Sequence, residues 1–170
     1  MKATLIDPKT RTVSDMELPD KITLDEIYKI IGDGCEMVEV VRLPGGNNDG
    51  MYVNEEGMLK LEYDDEGNCT SDFFMLRNPG HAPAHIIVGR GLILGCDKEG
   101  NEQSTDLSAE VMRGFVMWLK PGAKNKVAEM VGELGEKATC VCATEVELLD
   151  AGRRFYAELE KMSDNFEDAQ

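Results

Sequence analysis

The chain has 170 residues, with 33 Asp and Glu against 18 Lys and Arg and a formal charge of −15. A chain of that length buries roughly two thirds or more of its unfolded surface, so it needs no disulfide or metal staple, and its 42% hydrophobic content excludes a disordered chain. The acidity is spread along the sequence with no clustered Lys/Arg segment, which disfavours direct binding to nucleic-acid phosphates and favours attraction to basic surfaces.

Residues 2–6 and 11–18 predict two short strands joined by Asp7-Pro8-Lys9-Thr10, an opening hairpin. Thr23-Leu24-Asp25-Glu26 has the form of a capping box, with Ile22 and Ile27 placed as a hydrophobic staple. Leu24, Ile27, Tyr28 and Ile31 then share one helical face before Gly32-Asp33-Gly34 stops the helix. The valine-rich segment 36–43 predicts a strand, and Pro44 to Gly50 an exposed loop. Alternation from Leu59 to Tyr63 predicts a strand with one face in water, ended by Asp64-Asp65-Glu66-Gly67.

Residues 73–77 predict a further strand, and Ile86-Ile87-Val88 with Leu92-Ile93-Leu94 a hairpin about Gly89-Arg90-Gly91. A helix is expected over about 107–120, carrying Val111, Met112, Phe115, Trp118 and Leu119 and closed by Pro121-Gly122. Beyond it, Val127, Met130, Val131 and Leu134 predict a short amphipathic helix, and residues 139–143 a strand. Thr144-Glu145-Val146-Glu147 predicts a capped final helix to about Met162. The fold class expected is α+β: a mostly antiparallel sheet with helices packed on one face. Residues 1–120 form the α+β domain and 121–170 a mainly helical extension packed on it.

Five scattered cysteines (Cys35, Cys69, Cys96, Cys140, Cys142) lack disulfide-framework spacing and indicate a reducing compartment. The N-terminus reaches Asp7 too soon for a signal peptide, and no segment has the apolar length of a membrane helix. His81-Ala82-Pro83-Ala84-His85 has the spacing of a zinc pair, but Pro83 argues against the helix that pair needs, and a turn with two polar histidines is favoured. Cys140-Val141-Cys142 is one residue too tight for ordinary zinc spacing and reads better as two buried thiols. Gly89-Arg90-Gly91 imitates a dinucleotide fingerprint, yet a strand follows where a helix should start. No catalytic residue, metal or cofactor is assigned.

Met1-Lys2-Ala3, the hairpin, Tyr28-Lys29-Ile30-Ile31-Gly32, Val38-Glu39-Val40-Val41, residues 88–95 and Asp106-Leu107-Ser108 together resemble a family of small proteins, DUF3846, a domain of unknown function found in phages, plasmids and gut Firmicutes. The resemblance covers about Met1 to Lys120 and assigns no chemistry. It implies a mobile-element setting in a bacterial cytoplasm, where accessory proteins interfere with host defence.

Two acidic sets point outward: Asp15, Glu17, Asp20, Asp25 and Glu26, then Glu55, Glu56, Glu62, Asp64, Asp65 and Glu66. The leading expectation is a non-enzymatic inhibitor whose second set imitates nucleic acid in the basic channel of a defence nuclease, of the anti-CRISPR or anti-restriction type. Acidity that serves solubility alone is the bland alternative. A second alternative is a sponge for a nucleotide immune signal, with Asn78, Arg90 and the Pro44–Gly50 loop around a pocket; a third is a hydrolytic or metal-dependent enzyme assembled from distant residues.

Overall fold

A computed structural model describes residues 1–32, 34–43, 48–77, 85–118 and 125–126. Strands β1 (Lys2–Asp7) and β2 (Thr12–Glu17) form the expected opening hairpin. Strands β3 (Val38–Arg42) and β4 (Gly50–Asn54) form a second. The apolar strand β7 (Gly91–Cys96) inserts between them, giving the order β2-β1-β7-β4-β3, and the two-residue β8 (Glu102–Gln103) pairs with the far end of β7. A smaller sheet has β5 (Phe73–Leu76) at its centre, flanked by β6 (His85–Val88) and β9 (Val116–Trp118). Every pairing is antiparallel, so the described residues form a mostly antiparallel α+β fold with two short helices.

The period of two along the strands separates the interior into two clusters. Ile6, Val13, Met51, Val53 and Ile93 project from one face of the larger sheet onto Phe74, Leu76, Ile87 and Val116 of the smaller sheet and onto helix α2 (Ala109–Arg113). Ala3, Leu92 and Leu94 project from the other face onto Ile27 and Ile31 of helix α1 (Leu24–Ile31). The two helices therefore lie on opposite faces, not on one face as the sequence predicted. Leu92-Ile93-Leu94 is buried from both sides, which is the burial a continuous apolar strand requires.

Helix α1 starts as its sequence dictates. The Thr23 hydroxyl accepts from the Glu26 N–H, and the Glu26 carboxylate accepts from the Thr23 N–H at 2.8 Å. Gly32, at φ 74°, leaves the helix with its N–H donating to the Tyr28 carbonyl. Ile22 packs on the same cluster as Ile27, while Leu24, assigned to the buried face, is 51% exposed.

Four local expectations are corrected. Strands β6 and β7 are not a hairpin: they belong to different sheets, and Gly89-Arg90 is the corner between them. At that corner a side chain on Gly91 would place its Cβ 2.7 Å from Met51 Sδ, so any larger residue would force the buried Met51 to shift. The helix expected over 107–120 is confined to Ala109–Arg113; Ser108 caps it, Gly114 ends it, and Val116-Met117-Trp118 takes the extended form its β-branched and aromatic residues favour. Leu59 to Tyr63 is not a strand, and Leu59 is 84% exposed. The partner of β3 is β4, an element the sequence did not predict, and it begins at Gly50, which was expected to end the loop. The expected strand and helices beyond residue 120, and residues 44–47 of the loop, lie outside the described residues.

Candidate partner-binding surface

The connection from β4 to β5 carries all six carboxylates of the second acidic set, and its backbone decides which of them are presented. It opens with a turn in which the Asn54 side chain accepts from the Glu56 N–H at 3.0 Å and the Glu55 N–H donates to the Met37 carbonyl. Glu56 forms an ion pair with Lys60 one helical turn on, and that contact raises the Lys60 ammonium above its ordinary value. Glu56 is thereby half-buried and neutralised, whereas Glu55 is exposed.

A tight hairpin turn follows, closed by the bridge between Tyr63 and Cys69. Asp64 holds it from within: its Oδ1 accepts from the N–H groups of Glu66 at 3.0 Å and Asn68 at 2.8 Å, and its Oδ2 from the Asn68 side chain. Gly67, at φ 80°, supplies the left-handed residue. The Asn68 backbone N–H, then its side-chain amide, hold the Asp64 carboxyl below its ordinary value. The same five-residue pattern, Asp-x-Glu-Gly-Asn, recurs at 97–101. Asp97 there accepts from Glu99 and Asn101, Gly100 has φ 89°, and the Asp97 carboxyl is lowered chiefly by the Asn101 side chain. The repeat is a sequence signal for the turn, additional to the acidity that singled out residues 64–66.

The six predicted partner-binding residues therefore divide. Asp64 is committed to its turn and Glu56 to Lys60, while Glu55, Glu62, Asp65 and Glu66 are exposed and have no ion-pair partner among the described residues. The earlier acidic set divides as well. Asp15 reaches across from β2 to accept from the first N–H of α2, at Ala109, and from the Thr4 hydroxyl. Glu26 serves its capping box, and Asp20 lies 3.4 Å from the N-terminal amine.

Arg90, predicted as a ligand contact, projects from the corner between the sheets. Its Nε donates to Asp7 Oδ2 at 2.9 Å and its Nη1 to the Ile30 carbonyl at 3.4 Å, near the end of α1. It ties β1, the corner and the negative end of the helix together, so a ligand phosphate would compete with two protein acceptors. A cleft of about 380 Å³ lies beside it, lined by Lys9, Lys60, Glu62, Ser71 and the backbone of Gly89. Asn78, His81, Cys140 and Cys142 lie outside the described residues, as does the side chain of His85. The loop expected to be exposed up to Gly50 is anchored at Asp49, which is buried and accepts from Thr105 Oγ1 at 2.7 Å.

Among the described residues no three His, Cys, Asp or Glu side chains converge as metal ligands. Cys35 and Cys69 are buried free thiols; burial pushes the Cys35 thiol up, and its Sγ donates to the Met37 carbonyl. No helix among the described residues is long and apolar enough to cross a membrane.

Fold and surface define a small antiparallel α+β protein with an acidic connection between its two sheets, four of whose carboxylates are exposed and without an ion-pair partner among the described residues. The chain belongs to the family described as domain of unknown function DUF3846, which it matches over residues 1–120. No curated protein and no solved structure matches it.

Proposed function

We propose that the protein acts by binding a basic protein surface through Glu55, Glu62, Asp65 and Glu66. The partner class that fits is a nuclease with a cationic nucleic-acid channel, such as a CRISPR effector or restriction enzyme, and the protein acts as its inhibitor in a bacterial cytoplasm. One observation carries this reading: in a chain with charge −15, these four side chains stand exposed on one connection with no ion-pair partner among the described residues, beside turns that use neighbouring acids for their own construction. A cationic channel evolved to hold phosphates attracts such a surface over a Debye length and orients it before contact.

The test is affinity capture from a lysate of bacteria carrying defence systems, with wild type and a variant bearing Glu55→Gln, Glu62→Gln, Asp65→Asn and Glu66→Gln. Asp64 is left intact because its loss would open the turn. Recovery of a nuclease by wild type and not by the variant supports the reading. Equal recovery by both removes these residues from the interface.

A further inference from the structure

Asn125 lies just beyond the family-matched segment, yet both ends of its side-chain amide are bonded to the acidic hairpin. Its Oδ1 accepts from the backbone N–H of Cys69, and its Nδ2 donates to Asn68 Oδ1 at 2.9 Å. The Cys69 N–H needs such a partner. Cys69 faces Tyr63 at a position where the ladder bonds run instead between the flanking residues, from Asp64 N to Asn68 O and from Thr70 N to Glu62 O. Its own N–H therefore points out of the hairpin, at a residue only 5% exposed.

We propose that Asn125 is a positioning residue for the acidic hairpin: one planar amide closes the hairpin's outer edge as a neighbouring strand would. The polarity of the contact follows from the network. Asn68 Nδ2 is committed to Asp64, which leaves Asn68 Oδ1 as an acceptor and requires the donor end of Asn125 opposite it. A relay results, from Asn125 through Asn68 to Asp64 and so to the Glu66 N–H, and it sets the direction in which Asp65 and Glu66 are presented. In the sister turn at 97–101 the equivalent pair is Cys96 and Glu102, and no counterpart of Asn125 is seen among the described residues; there the hairpin runs on into a ladder, Gly95 pairing with Gln103, so β7 and β8 hold the turn where the acidic hairpin has a single bridge.

The experiment is residue-resolved hydrogen exchange on the full chain, for wild type, Asn125→Ala and Asn125→Asp. Asn125→Ala is expected to lower protection at the Cys69 amide about tenfold or more, with a smaller loss at Asn68, and to leave the 97–101 turn and Leu92 of β7 unchanged. Asn125→Asp retains the acceptor for Cys69 but sets a carboxylate against Asn68 Oδ1, so its loss is intermediate. Unchanged protection at Cys69 overturns the proposal, as does an equal loss in β7, which would mark a global effect. The importance of this hairpin for a partner rests on the function proposed above, but the two fail separately. The four-residue neutralised variant keeps Asn125 and its bonds, so it loses the partner with Cys69 still protected.

Discussion

Replacing Arg90 by alanine removes the bond to Asp7 at 2.9 Å and the longer one to the Ile30 carbonyl. A hydrogen bond to a buried charged partner contributes about 1.5–3 kcal/mol, whereas an exposed ion pair contributes less than about 1 kcal/mol. This pair falls between: Asp7 is 11% exposed and Arg90 38%. Asp7 also keeps the Lys9 N–H after the substitution, so its carboxylate is not left orphaned. The expected loss is about 1.5 kcal/mol, which for a chain of this size lowers the melting temperature by about 3–6 °C. Arg90→Lys keeps the charge and loses the two-pronged geometry, and should fall about halfway. The assay is thermal unfolding followed by circular dichroism at neutral pH. A melting temperature for Arg90→Ala within about 1 °C of wild type would refute the clamp and favour the nucleotide-sponge alternative, in which the guanidinium meets a ligand.

Gly91→Ala forces a Cβ to within 2.7 Å of Met51 Sδ and 3.0 Å of Phe74 Cζ, and overpacking of that kind should cost about 1–3 kcal/mol in urea unfolding. Asp15→Ala leaves the Ala109 N–H at the start of α2 without its acceptor and should cost about 1 kcal/mol, measured the same way, with Asp15→Asn largely restoring it. The carboxyls of Asp64 and Asp97 lie below the ordinary 3.8 when folded, so their contribution is complete above that value and disappears as pH falls through the lowered one. Amide signals of residues 64–68 and 97–101 should therefore hold steady from about pH 5 to about pH 8 and change together only in strong acid. A transition of either turn near neutrality would contradict that assignment.

Much of the fold was legible because its signals are local. Thr23 and Glu26 announce α1 through side-chain chemistry three residues apart, and Asp7-Pro8 announces the first turn. What was illegible depends on distant partners. Met112, Phe115 and Trp118 fall at helical spacing, but Trp118 pairs with Phe74 and Val116 with Leu76, and that pairing pulls the segment into a strand. Leu59, Leu61 and Tyr63 alternate as a strand would, yet the place beside β3 is taken by Gly50–Asn54, whose Met51 and Val53 reach the core. Val88 and Leu92 flank a glycine corner that looks like a hairpin until the sheets they join are known.

For the candidate surface, the sequence located the acidic connection but not the division of labour within it. Asp64 and Glu66 differ by two positions and have the same charge. Only the turn geometry shows that one builds the hairpin while the other is displayed. The Asp-x-Glu-Gly-Asn repeat carried that distinction in the sequence itself. Asn125 carried no such signal, because its role depends on a partner far along the chain.

The measurement that bears most directly on partner binding is the salt dependence of affinity for a captured nuclease, compared between wild type and the variant neutralised at Glu55, Glu62, Asp65 and Glu66. Wild-type affinity is expected to fall steeply as salt rises, and the variant to bind more weakly with a shallower dependence. Equal affinities with the same salt dependence would contradict it and place the interface elsewhere on the molecule.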